Sequence, residues 1–122
     1  MKLLFDHNVD RRFRRHVPGH EIKTTREMRW ELLSNGKLLR AAADAGFGAF
    51  VSIDKKLQFE QNLDRLPIAV IVLDSFSNAL PALIPFAPFL QDLLKESLLN
   101  VFHLISPDGR ITRIGTPPAP SP

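Results

Sequence analysis

Three short apolar segments, each followed at once by an aspartate, constrain the fold of this chain more than any other feature. They cover residues 2–5, 49–53 and 68–73, which run into Asp6, Asp54 and Asp74. Strands this apolar are usually buried on both faces, as in a parallel sheet that lies between helices. The pattern therefore predicts an α/β domain with a mainly parallel central sheet.

Segments with helical periodicity separate these strands. From Arg11 to Val17 one apolar face is surrounded by arginines, and Asp10 is placed to cap the helix. A second helix is predicted after Ser34, ending at the glycines near position 46, and a third from Phe86 to Leu98. Alternation of strands and helices predicts three layers, α/β/α.

The remaining segments complete one domain. Glu21 to Thr25 alternates like a strand, and residues 101–105 and 111–114 flank a Pro-Asp-Gly turn that predicts a closing β-hairpin. The domain is expected to span residues 1–114, followed by a flexible, proline-rich tail at 115–122. A length of 122 residues fits a single core.

Composition excludes several classes of protein. The chain has no cysteine, so disulfide scaffolds, thiolate zinc sites and cysteine nucleophiles are ruled out, and a reducing cytoplasm is the expected location. Only three apolar residues lie between Lys2 and Asp6, too few for an export signal. The longest apolar segment, residues 79–90, is too short for a membrane span and contains three prolines.

Positive charge is concentrated in the first half of the chain. Residues 1–61 hold 12 Lys and Arg against 8 Asp and Glu, whereas residues 62–122 hold 4 against 5. The densest groups contain Arg11 and Arg12, and Lys55 and Lys56. Such groups attract phosphate backbones, although a solvated helix face would explain them equally well.

The three strand-terminal aspartates are the candidate chemical centre. Carboxyl ends of parallel strands share one edge of the sheet, where ligands bind in α/β proteins. Clustered carboxylates favour Mg²⁺ or Mn²⁺, which can activate water for phosphodiester hydrolysis. Asp6, Asp54 and Asp74 are therefore candidate metal ligands; the alternative is that each caps a turn or helix.

A family resemblance extends over about residues 1–75. The segments that carry it are Met1-Lys2-Leu3-Leu4-Phe5-Asp6-His7-Asn8-Val9, residues 21–28 with Trp30, Leu33-Ser34-Asn35-Gly36-Lys37-Leu38-Leu39, Ser52-Ile53-Asp54-Lys55-Lys56-Leu57 with Gln61-Asn62-Leu63, and residues 68–73. In this order and spacing they resemble the small PIN-like proteins of the DUF5615 type. The opening strand with Asp6 and Asn8 and the strand with Asp54 are the most specific pieces.

The resemblance implies a PIN-like fold related to the VapC toxins of bacterial toxin–antitoxin operons. Such proteins use strand-end acidic residues to bind Mg²⁺ or Mn²⁺ and cut RNA, and a small DNA-binding antitoxin is an implied partner. Asp6 and Asp54 would be metal ligands and, with Asn8, catalytic residues. The substrate RNA would contact Arg11, Arg12, Lys55, Lys56 and Asn35.

The chain departs from the family at two places. Relatives commonly have Glu or Gln where this chain has His7, and an acidic residue in the stretch that here contains Asn35 and Lys37. His7 could act as a general base near neutral pH. On an extended strand, however, the side chain after an inward-facing Asp6 is expected to point to the other side.

Three alternative functions are compatible with these sequence features. The first is a metal-dependent ribonuclease, the toxin of a toxin–antitoxin pair. The second is a degraded PIN-like module that binds RNA or a protein without cleavage, as Asn35 and Lys37 suggest. The third is an interaction subunit whose apolar helix, Phe86 to Leu98, dimerises or meets an antitoxin.

Overall fold

Six strands form one sheet in the computed structural model, which describes residues 1–60 and 65–115. The strand order is β2-β1-β3-β4-β5-β6. The strands are β1 (Lys2–Phe5), β2 (Glu21–Thr24), β3 (Ala49–Ser52), β4 (Ala69–Leu73), β5 (Phe102–Ile105) and β6 (Ile111–Ile114). The first five are parallel and β6 is antiparallel to β5. The predicted mainly parallel sheet and closing hairpin are confirmed.

Helices cover both faces of the sheet. They are a 3-10 helix (Arg11–His16), α1 (Asn35–Asp44), α2 (Leu57–Glu60), α3 (Leu80–Leu83), a second 3-10 helix (Ile84–Phe86) and α4 (Ala87–Leu94). The Asp10 side chain caps the first of these by accepting the Arg12 N–H. Ser34 occupies the N-cap of α1, as predicted, but its hydroxyl makes no capping hydrogen bond.

Alternation along the strands divides the core in two. Leu3 and Phe5 of β1 pack with the first 3-10 helix, α3 and α4, whereas Leu4 packs with α1 and α2 on the opposite face. The same alternation holds in β3 and β4, where every residue is buried. Two apolar layers therefore enclose the sheet, which confirms the predicted three-layer arrangement.

Several predicted boundaries shift by one to four residues. The helix predicted to reach Leu98 ends at Leu94. Leu98 lies beyond the helix and packs against the apolar layer that contains Leu3 and Phe5. A short helix, α3, occupies part of the proline-rich stretch at 79–90. Proline is tolerated in the first turn of a helix, because the backbone N–H groups there have no acceptor within the helix.

Two predicted features lie outside the described residues. Gln61-Asn62-Leu63 of the resemblance is one, and residues 116–122 of the proline-rich tail are the other. In the part of the chain that is described, no helix is long and apolar enough to cross a membrane.

The strand order places a crevice above β1. The chain moves from β1 outward to β2 and then returns to β3 on the other side of β1, so the connections leave the sheet in opposite directions. Ligands of open α/β sheets bind beyond the carboxyl ends of the strands at such a switch point. Asp6 directly follows β1 there.

Candidate functional site

Asp6 is a buried carboxylate at the centre of this crevice. It is only 4% exposed, and its backbone N–H donates to the Val51 carbonyl at 2.8 Å, which continues the pairing of β1 with β3. Oδ2 accepts the Ser52 hydroxyl at 2.8 Å, and Oδ1 accepts the His7 N–H at 2.8 Å. Among the described residues, no lysine or arginine forms an ion pair with it. Buried charges are normally paired or bound to a metal, so Asp6 is the candidate centre of a functional site.

His7 lies beside Asp6, and the prediction that it points to the other side is wrong. Its Nδ1 is 2.9 Å from Asp6 Oδ1, and its side chain is 76% exposed. Because β1 ends at Phe5, the alternation of side chains along a strand does not extend to this pair. The imidazole therefore stands at the opening of the crevice.

The hydroxyl of Ser52 joins the ends of β1 and β3. In addition to its bond to Asp6, it accepts the Asp54 N–H at 3.0 Å and an Asn8 Nδ2–H at 3.3 Å. Asn8 Oδ1 in turn accepts the Ile53 N–H at 3.4 Å. Ser52 thus links the Asn8 side chain and the backbone of Asp54 to the Asp6 carboxylate.

A cleft of about 880 Å³ opens over Asp6, between the loops that follow β1 and β2. Its walls carry charge of both signs. The lining residues are Asp6, His7, Val9, Asp10, Arg11, Thr24, Arg26, Glu27 and Glu31.

Two of the cleft carboxylates are held by arginines. Asp10 forms a 2.7 Å ion pair with Arg12, and the side-chain and backbone hydrogen bonds from Arg12 lower the pKa of Asp10 to about 2. Glu27 is 2.8 Å from Arg14, whose hydrogen bond lowers the pKa of Glu27, helped by the Thr24 N–H. Both groups are therefore ionised and fixed in the wall.

Two arginines face the cleft without a carboxylate partner in the described structure. Arg11 and Arg26 are exposed, line the cleft and make no ion pair among residues 1–60 and 65–115. Arginine presents a planar set of donors that matches phosphate oxygens. The predicted role of Arg11 in holding a phosphate backbone fits this position, whereas Arg12 is committed to Asp10.

Asp54 and Asp74 have different surroundings. Asp54 Oδ1 accepts the Lys56 N–H at 2.9 Å in a turn after β3, close to Ser52. Asp74 pairs with Lys55 at 3.0 Å and lines a second groove, outside the Asp6 cleft. Lys55 is therefore held by Asp74, and Lys56 remains exposed beside Asp54.

Asn35 and Lys37 lie in the first turn of α1. Asn35 donates to Glu60 Oε2 at 3.1 Å, which ties α1 to α2, and it does not line the Asp6 cleft. Lys37 is exposed. The start of α1 therefore brings no carboxylate towards Asp6.

The described residues fit a loosely held divalent ion better than a preformed metal cage. No three His, Asp or Glu side chains among them are grouped so that they could hold a metal ion. Mg²⁺, however, commonly keeps several waters and binds through one or two carboxylates plus substrate phosphates. Asp6 could supply such a carboxylate, and the predicted Mg²⁺ or Mn²⁺ site stays a prediction.

Sequence patterns missed Ser52 and the loop after β2, which contributes Arg26 and Glu31 to the cleft. Ser52 stands at the end of a strand, two residues before Asp54, and that position was the available signal. Part of this loop lies in the resemblance, but no site role was assigned to it, since that role depends on β2 lying next to β1.

Comparisons of the chain with protein-family models, with curated proteins and with solved structures found no match. Function therefore has to be argued from the fold and the cleft.

Proposed function

We propose that the protein is a PIN-like ribonuclease centred on Asp6, the toxin of a toxin–antitoxin pair acting in the cytoplasm. The observation that carries the proposal is a buried carboxylate without a lysine or arginine partner in the described residues, at the switch point of a parallel sheet. Ser52 and His7 offset part of the cost of burying this charge, and a bound cation would offset more of it.

Different residues of the cleft would bind the phosphates and position the Asp6 carboxylate. Arg11 and Arg26 would hold phosphates, and Ser52 fixes the orientation of the Asp6 carboxylate. Asp6 would hold Mg²⁺ or Mn²⁺, which when bound supplies the positive charge that activates water and offsets charge on the phosphate. Asn8 supports the same edge through Ser52 and the Ile53 N–H.

The test is cleavage of a panel of single-stranded and structured RNAs with Mn²⁺, with Mg²⁺ and with EDTA. We expect cleavage with either ion, and a loss of about 100-fold or more in Asp6→Asn, as for removal of one group that stabilises transition-state charge. Asp92→Asn is the matched control, because Asp92 is an exposed carboxylate on α4. Growth arrest on expression in bacteria, relieved by Asp6→Asn, would support the toxin assignment.

A binding module without cleavage is the second candidate. It is favoured by the start of α1, where Asn35 and Lys37 offer no carboxylate, and by the lack of a three-ligand group in the described chain. If no RNA is cut with Mn²⁺ but RNA still binds, the ribonuclease proposal fails and the binding module stands. If RNA neither binds nor is cut, the ribonuclease and the RNA-binding form of the module both fail.

A further inference from the structure

An exposed phenylalanine stands at the rim of the second groove. Phe76 follows β4, is 95% exposed and borders a mostly apolar groove of about 330 Å³. The walls of this groove include Phe86, Pro81, Pro85 and Pro107. Because the exposed ring adjoins an apolar groove and is not isolated, Phe76 is a candidate interaction site.

The turn that carries Phe76 is fixed by hydrogen bonds on both sides of the ring. The Asp74 N–H donates to the Ile105 carbonyl at 2.9 Å, which ties the turn to β5. The buried Ser75 hydroxyl donates to the Ser77 carbonyl at 2.7 Å. The ring is therefore presented by an ordered backbone, which reduces the entropy lost when a ligand binds.

This groove and the Asp6 cleft lie along the same edge of the sheet. Phe76 follows β4 and Asp6 follows β1, and only β3 stands between those two strands. The ends of β1 and β4 are two strand spacings apart, roughly 10 Å. Lys55, in the turn after β3, reaches Asp74 at 3.0 Å and so bridges the interval.

Cations along this edge offset its carboxylates. Asp54 and Asp74 would repel a phosphate, but Lys55 pairs with Asp74, and the exposed Lys56 lies in the same turn as Asp54. At the far end, Arg11 and Arg26 face the cleft. Cations that track a backbone, together with an aromatic ring on which a base can stack, are the features by which proteins bind single strands.

We propose that Phe76 is the stacking platform for an unpaired RNA base, on a strand whose neighbouring phosphates lie in the Asp6 cleft. The proposal rests on the proposed function and adds a base-binding subsite to it. The ligand class is single-stranded RNA, and the apolar groove receives the edge of the stacked base.

The experiment measures binding of a short single-stranded RNA that carries one 2-aminopurine, in EDTA so that it is not cut. We expect quenching of 2-aminopurine fluorescence on binding to the wild type and to Phe76→Trp. Phe76→Ala should lose the quenching and bind about 10-fold more weakly, in line with one lost base–aromatic stack. Thermal unfolding should be unchanged, because the ring is exposed.

Phe59→Ala is the matched control. Phe59 is also exposed, at 81%, but lies on α2, which packs on the opposite face of the sheet from Phe86. This variant should bind and quench like the wild type.

Two results would overturn the subsite. If Phe76→Ala binds RNA as tightly as the wild type, the subsite is wrong while RNA binding at Asp6 stands. If Phe76→Ala instead turns a dimer into a monomer in sedimentation, with unchanged RNA affinity, the groove is a protein interface. Failure of the wild type to bind any RNA, both in EDTA and with Mn²⁺, would remove the proposed function as well.

Discussion

At the scale of single residues, the hydroxyl of Ser52 organises the candidate site. It is fully buried, donates to Asp6 at 2.8 Å and accepts the Asp54 N–H at 3.0 Å. A buried carboxylate that loses a donor bears the full cost of desolvation. The arrangement of Asp6 therefore depends on a residue that has no chemical role of its own in the proposed reaction.

Ser52→Ala is expected to lower the free energy of unfolding by about 1–3 kcal/mol, because Asp6 Oδ2 loses its partner inside the protein. The measurement is urea unfolding followed by circular dichroism. Ser34→Ala is the control, since the Ser34 hydroxyl makes no capping bond, and it should change stability far less. Equal effects of the two substitutions would show that the Ser52 network contributes nothing.

At the scale of elements, the turn of the β5–β6 hairpin depends on Gly109. Its φ is +87°, a conformation that glycine adopts without strain, and its N–H donates to the Ser106 carbonyl at 2.9 Å. A Cβ added at this position would lie 2.7 Å from Cε1 of Phe89 on α4. The glycine therefore permits both the turn and its packing on the helix.

Gly109→Ala should cost more than Gly19→Ala, measured as free energy of unfolding. Gly19 has almost the same φ, +88°, but a Cβ there meets nothing within 4 Å. The two substitutions share the backbone strain, so the difference, about 1–3 kcal/mol, reports overpacking against Phe89. Adding Phe89→Ala should remove the excess cost, and its persistence would contradict the steric explanation.

At the scale of the whole molecule, a buried histidine links stability to pH. His103 on β5 is 1% exposed, and its Nδ1 is 3.3 Å from the Val70 carbonyl. Burial lowers its pKa, an effect that the Val70 carbonyl partly opposes. The folded protein therefore takes up this proton at lower pH than the unfolded chain does.

The lowered pKa of His103 makes the folded state less stable at acidic pH. Above pH 6.5 the histidine is neutral in both states, and below that pH the unfolded chain is protonated first, so stability falls as pH decreases. The fall should approach about 1.4 kcal/mol per pH unit until the lower folded-state pKa is reached. His103→Gln should flatten this part of the profile between pH 7 and 5 relative to pH 8. Parallel wild-type and variant profiles would contradict the assignment.

The apolar strands made most of the fold predictable. Runs such as 49–53 and 68–73 bury both faces, and a parallel sheet between helices follows from that requirement. Boundaries such as the end of α4 were less predictable, because Leu98 is apolar and can pack on the core without being helical. A local apolar pattern indicates which residues are buried, but it does not indicate where the backbone hydrogen bonds of a helix end.

The candidate site was predictable in part. The side chains of Asp6 and Asn8 and the backbone N–H of Asp54 bond to Ser52. The Asp54 carboxylate instead accepts the Lys56 N–H in its own turn, and Asp74 faces a different groove and pairs with Lys55. The position of His7 could not be deduced, because strand alternation stops where β1 stops. The resemblance to PIN-like proteins and the metal it implies stay predictions.

The sequence by itself determined which segments are buried and that aspartates end three strands, since both depend on local composition and period. Only the tertiary structure decided which strands are neighbours, because pairing β1 with β2 on one side and β3 on the other involves residues far apart in the chain. That choice sets Asp6 in a cleft with Arg11 and Arg26, and places Phe76 two strands away along the same edge.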